Sequence, residues 1–264
     1  AALQVGRGAG EGDRRAGGVY ERYVPHVLRG ILPDPWTLQR GPMGQKIQLT
    51  AGDGFALTAY RADPAGKPRG GLLIIQEIFG VNAHVREVAE KFAGAGYLAV
   101  APAFFDRVKQ DVELGYDQPG IGQGVQYMTQ LQPDHTLLDL QAGIELAAAA
   151  GRVGVVGYCW GGTMAYVAAA HCKVAAAVSY YGGRITQYLK EQPQCPIMYH
   201  FGELDKGIPD LMIQQIRQAQ PAGTFHVYRG ADHGFNCNHR ATFEPESATL
   251  AYERTLAFLR EHVG

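Results

Sequence analysis

The chain alternates short, uniformly apolar runs with segments whose apolar residues recur at helical spacing. Gly71 to Gln76 (GLLIIQ), Tyr97 to Ala101 (YLAVA), Val153 to Gly157 (VGVVG), Val174 to Tyr181 (VAAAVSYY) and Cys195 to Gly202 (CPIMYHFG) are almost free of charge. Runs of this kind are strands buried on both faces, as in a parallel sheet covered by helices. Between them, HVREVAEKFAGAG places Val85, Val88, Ala89 and Phe92 on one helical face, with Gly94 and Gly96 to end it. Further helices are expected across Thr136 to Ala150, Gly161 to Ala170 and PDLMIQQIRQAQ, the last followed by the strand TFHVYRG. ATLAYERTLAFLREHV closes the chain as an amphipathic helix with Leu250, Leu256 and Leu259 expected inward.

Ile47 to Thr50 and Phe55 to Tyr60 flank a Gly-Asp-Gly turn and suggest a hairpin ahead of the βα repeats. The repeats imply an α/β fold with a mostly parallel sheet and helices on both faces, binding ligands at the carboxyl ends of its strands. Val108 to Gln132 is Gly-rich and poorly periodic, and is expected to be a loop or short cap over the site. Its GIGQG neither follows a strand directly nor has the GxGxxG spacing that cradles a dinucleotide.

Composition narrows the function classes. With 264 residues, 46% hydrophobic, 19% charged and a formal net charge of -1, the chain suits one globular domain and carries no electrostatic footprint for nucleic acid or an anionic membrane. The longest apolar stretches are too short to span a bilayer. Residues 1–42, rich in Gly, Arg and Pro, show no sustained period and are expected to be a flexible extension before a domain at 43–264. The alternative is an arm docked through Tyr20, Tyr23 and Trp36. Arg14 and Arg15 are not followed by the apolar segment of an export signal, and four cysteines without a CxxC spacing suit a reducing cytoplasm. A monomer is the default expectation. Cys237 and His239 form no metal motif, so neither metal nor cofactor is expected.

The chemistry concentrates in VGVVGYCWGGTMAYVAAA, which reads as strand, sharp turn, helix, with GYCWG matching GxSxG except that cysteine replaces serine. Gly157 and Gly161 suit the crowded turn, and the following helix aims its amides at Cys159, favouring a thiolate. The chain has only two serines, Ser179 and Ser247, neither in such a turn. In this fold class an acid and then a base follow the nucleophile on loops after late strands. Asp205 in YHFGELDKGIP and His233 in VYRGADHGFN meet that order, with Glu203 and Asp232 as local rivals for the acid. Cys172, Cys195 and His200 read as core residues.

QEIFGVN, VGYCWGG, GELD and ADHGFN, in this order and spacing, resemble the dienelactone hydrolase family from about Lys46 to the C-terminus. The resemblance implies an α/β-hydrolase fold without cofactor, acting on a small ester or lactone (carboxymethylenebutenolidase-like chemistry) through Cys159, Asp205 and His233. It also implies that Glu77 takes the thiol proton when substrate binds, and that the backbone amides of Ile78 and Trp160 form the oxyanion hole. The family grips its carboxylated lactone with arginines, one of them four residues past the histidine. Here that position is Cys237, and no arginine lies between Lys109 and Asp134. Arg107 and Arg240 are the candidates to replace the grip. Modest activity on neutral esters or lactones, without strong preference for the anionic lactone, is therefore expected. The alternatives are an acyl transferase or thioesterase using the same residues, and a ligand-binding member without turnover.

Overall fold

The computed structural model describes residues 43–264; the extension expected at 1–42 lies outside the described residues. Eight strands form one sheet in the order β1-β2-β4-β3-β5-β6-β7-β8. The edge hairpin comprises β1 (Gln45–Thr50) and β2 (Ala56–Ala62), antiparallel to each other, and β2 is also antiparallel to β4 (Leu98–Pro102). β3 (Gly71–Ile75), β4, β5 (Val153–Tyr158), β6 (Ala176–Tyr180), β7 (Ile197–Gly202) and β8 (Thr224–Tyr228) run parallel. Every residue of β3 to β7 is buried, while the two edge strands are partly exposed. That is the burial a parallel sheet acquires when helices cover both faces.

The covering helices are α1 (Ala83–Gly94), α2 (Gln118–Gln130), α3 (Pro133–Ala147), α4 (Trp160–His171), α5 (Asp210–Ala219) and α6 (Pro245–His262). Asn82 caps α1 by accepting from the Val85 amide, and Phe92 of α1 packs on Tyr252 of α6 at 5.5 Å between ring centroids. Each expected strand and helix is found within a few residues of its expected ends. Among the described residues no helix is long and apolar enough to cross a membrane.

Two expectations are corrected. Residues 118–130 are a helix, α2, not a loop. Asp117 caps it by accepting from the Gly120 amide, and Pro119 lies in its first turn, where a missing N–H is harmless. Its glycines hide the helical period, and one of them permits contact with the active-site side of the molecule. A Cβ at Gly124 would lie 2.1 Å from the carbonyl oxygen of Ile78. In α6, Leu250 is 41% exposed; the inward face is instead Ala248, Ala251, Tyr252, Thr255, Phe258 and Leu259. Here Ala248 and Ala251 let the helix approach the sheet closely, so the buried stripe runs one residue away from the leucine.

The chain places β4 on one side of β3 and β5 on the other, so connections diverge at the carboxyl ends of β3 and β5. Such a divergence opens a crevice, which is where open α/β sheets bind ligands. Ile75 pairs with Gly157 at this end. Glu77 and Cys159 each lie two residues further along.

Candidate active site

β5 ends at Tyr158 and α4 begins at Trp160, leaving one residue to turn the chain. Cys159 does so at φ 55° and ψ −113°, a region that L-residues rarely occupy and that costs on the order of 1–3 kcal/mol. The turn is crowded enough to exclude side chains at both flanking glycines. A Cβ at Gly157 would lie 1.8 Å from the Gly161 carbonyl oxygen, and one at Gly161 would lie 2.4 Å from that of Ile75. The second contact presses the turn against the segment leading to Glu77 and Ile78, and Trp160 supplies the first amide of α4.

His233 sits in the loop between β8 and α6, with Nε2 3.1 Å from Cys159 Sγ and Nδ1 2.7 Å from Asp205 Oδ2. Asp205 is buried, and its other oxygen accepts from the Gly207 amide at 2.9 Å. The carboxylate thereby has one oxygen fixed by backbone and the other turned to the imidazole. Burial opposes charge on His233, yet the neighbouring Cys159 sulfur and the Asp205 carboxylate hold its pKa well above the ordinary histidine range. The rival carboxylates are engaged elsewhere. Glu203 accepts from the Gly230 amide, and Asp232 accepts from the backbone amide of His233.

Glu77 is buried, with Oε1 3.2 Å from Arg240 Nη1 and Oε2 without a hydrogen-bond partner. Arg240 reaches there over Gly234, where a Cβ would meet its guanidinium at 2.5 Å and φ is +78°. Only glycine fits that position without strain. Phe79 and Tyr116 line the guanidinium at 5.7 and 5.4 Å.

Arg107 does not join this group. Asp139 and Asp53 hold its guanidinium at 2.7 and 2.6 Å, and its side chain is 8% exposed, so it is an internal tie between the hairpin and α3. The sequence reading missed Tyr116, Tyr181 and the placement of Cys237. Tyr116 neighbours Cys237, whose thiol burial and the nearby Glu77 push up to about 12. Tyr181, at φ 40°, lies 5.1 Å from the His233 ring, and its buried hydroxyl has no hydrogen-bond partner. Two adjacent tyrosines at the end of an apolar strand were the available signal. His200 is buried with Nδ1 2.8 Å from the Tyr228 hydroxyl and Nε2 3.0 Å from Thr255 Oγ1, a core histidine as its strand position suggested.

Linear spacing offered no metal motif, but the fold assembles a candidate. His84, Glu87 and His239 each bring one ligand atom to within 4.8 Å of the others. Burial pushes His84 down to about 3, so its ring is neutral.

A parallel sheet with a nucleophile-bearing turn after a central strand, and an imidazole and carboxylate on later loops, defines the α/β-hydrolases. Within that class the chain belongs to the dienelactone hydrolase family, whose model matches residues 57–263. It is similar to the carboxymethylenebutenolidase of Pseudomonas putida, 34% identical over 223 residues that cover 81% of this chain and 94% of that protein. A Synechocystis protein named "Putative carboxymethylenebutenolidase" is 36% identical over 202 residues, covering 69% of this chain and 82% of that one. Among solved structures, a "Putative Dienelactone Hydrolase" from Klebsiella pneumoniae superposes with a TM-score of 0.71 at 28% identity, covering 83% of this chain and 100% of that one. The chain is accordingly a hydrolase of the dienelactone hydrolase type.

Proposed function

We propose that the protein hydrolyses small esters or lactones through an acyl-enzyme on Cys159. The observation that carries this is the continuous contact from Cys159 Sγ to His233 Nε2, and from His233 Nδ1 to Asp205 Oδ2, at 3.1 and 2.7 Å. Sulfur attacks the carbonyl carbon, and the oxyanion is held by the amides of Ile78 and Trp160. Collapse breaks the carbon–oxygen bond, and the proton taken from the thiol passes through His233 to the departing alkoxide. A water molecule, deprotonated by the same imidazole, then attacks the thioester, releasing the carboxylic acid and the thiol. Asp205 fixes the tautomer that points Nε2 at sulfur.

Glu77 and Arg240 supply the substrate-dependent part. Their ion pair engages the carboxylate at rest; a substrate carboxylate that takes Arg240 frees Glu77 to accept the thiol proton. This also alters the expectation of substrate. The position four residues after His233 is a cysteine, but Arg240 brings a cation to Glu77 from three residues later. A carboxylate-bearing lactone or ester is therefore favoured over a neutral one.

The test compares a carboxylated lactone with its neutral analogue on wild type, Cys159→Ala and Arg240→Ala, with mass spectrometry of trapped acyl-enzyme. Cys159→Ala should lose turnover and the acyl adduct. Arg240→Ala should lose roughly 10- to 100-fold in kcat/KM for the anionic substrate and little for the neutral one. Turnover surviving in Cys159→Ala would overturn the mechanism, and equal losses on both substrates would overturn the role of Arg240.

A further inference from the structure

His84 and Glu87 are three residues apart in the first turns of α1, so they project from neighbouring positions on one helix face. His239 comes from the loop that carries His233 and lies two residues beyond Cys237. Its Nε2 stands 2.9 Å from Glu87 Oε2, and its ring centroid 5.7 Å from that of His84. None of the three belongs to the Cys159, His233, Asp205 group or to the Glu77–Arg240 pair.

We propose that His84, Glu87 and His239 form a binding site for a divalent transition metal ion of the zinc type, tying α1 to the catalytic-histidine loop. Two imidazoles and one carboxylate are a donor set that zinc accepts, with water completing the tetrahedron. Around a tetrahedral zinc the ligand atoms stand about 3.4 Å apart, from bonds near 2.1 Å. The three atoms here lie within 4.8 Å of one another, so small side-chain movements close the set. The pieces that must move can do so, because the Glu87 and His239 side chains are 45% and 34% exposed. His84 is the fixed member: it is buried, and its Nδ1 lies 3.2 Å from Asn238 Oδ1. An oxygen partner on one ring nitrogen orients the ring and selects its tautomer, as outer groups commonly do for metal-binding histidines. Lys91 and Arg240 are the nearby cations that oppose an ion, and the Glu87 carboxylate offsets one of those charges.

The competing destination for any soft cation is the Cys159–His233 pair, and cobalt(II) distinguishes the two by its spectrum. Cobalt(II) titrated into the whole chain should give one bound ion per chain with visible ligand-field bands and no sulfur-to-metal charge-transfer band. Zinc should displace it and raise the melting temperature. His239→Ala and Glu87→Gln, both at the surface, should each weaken binding by roughly tenfold or more and abolish the zinc-induced shift. Cys159→Ser should keep both. The proposal is overturned by a charge-transfer band that disappears in Cys159→Ser, by affinity unchanged in both surface variants, or by no binding below millimolar cobalt.

Discussion

Gly122 and Gly124 lie two residues apart in α2, and replacing each with alanine should have opposite effects. In a helix interior alanine is favoured over glycine by about 0.5–1 kcal/mol. At Gly122 nothing lies within 4 Å of the added Cβ, so Gly122→Ala should be more stable by about that amount. At Gly124 the same atom would stand 2.1 Å from the Ile78 carbonyl oxygen and 3.2 Å from the Ile78 Cβ. Helix or loop must then retreat by about 1 Å, and overpacking of this kind costs about 1–3 kcal/mol. The clash outweighs the propensity gain, leaving Gly124→Ala about 1–2 kcal/mol less stable, or roughly 2–8 °C lower in Tm. Because Ile78 is the proposed oxyanion donor, a shift of about 1 Å should also slow acylation by on the order of 100-fold. Urea denaturation and single-turnover acylation on the two variants decide it. If Gly124→Ala matches Gly122→Ala in stability and keeps full acylation, α2 does not brace the Ile78 loop and the reasoning is wrong.

Arg107→Ala should destabilise by about 3–5 kcal/mol because it strands a buried carboxylate, while leaving the anionic-to-neutral substrate ratio unchanged. Asp139, whose side chain is 1% exposed, is that carboxylate. Combining Arg107→Leu with Asp139→Leu should recover most of the loss in denaturant midpoint; a changed substrate ratio would instead put Arg107 in the pocket. Burial holds His200 well below its ordinary pKa of about 6.5, so the unfolded chain takes up a proton that the folded chain refuses. Stability from this group is complete above about 6.5 and falls by roughly 1.4 kcal/mol per pH unit below it, about 2 kcal/mol by pH 5. Unfolding curves at pH 7 and 5 should show the fall, with a shallower slope in His200→Asn. A chain beginning at Met43 should fold and retain turnover, since the family match begins at residue 57; a large loss of melting temperature or activity against the full chain would show that residues 1–42 contribute to the domain.

What the sequence determined alone was whatever depends on neighbours along the chain. Uniformly apolar runs such as GLLII and VGVVG specify buried parallel strands because the side-chain period is local. The GYCWG turn specifies its own strain, since Gly157 and Gly161 collide with backbone if given a Cβ. The order Cys159, Asp205, His233 was legible because fold topology orders the loops. Tertiary structure decided everything that depends on which loops meet. Loop position favoured Asp205 over Glu203 and Asp232 in the sequence, and packing turns Asp205 toward His233 while backbone amides engage the other two. Arg107 and Arg240 were equal candidates until one was closed off by Asp53 and Asp139 and the other reached Glu77. The helix at 118–130 escaped notice because glycines interrupt its apolar period, and one of them, Gly124, answers to a contact with Ile78 and not to helix propensity. His84, Glu87 and His239 share no linear motif, and they converge because α1 starts beside the loop that follows β8. Such convergence is a property of the folded backbone, and no periodicity along the chain encodes it.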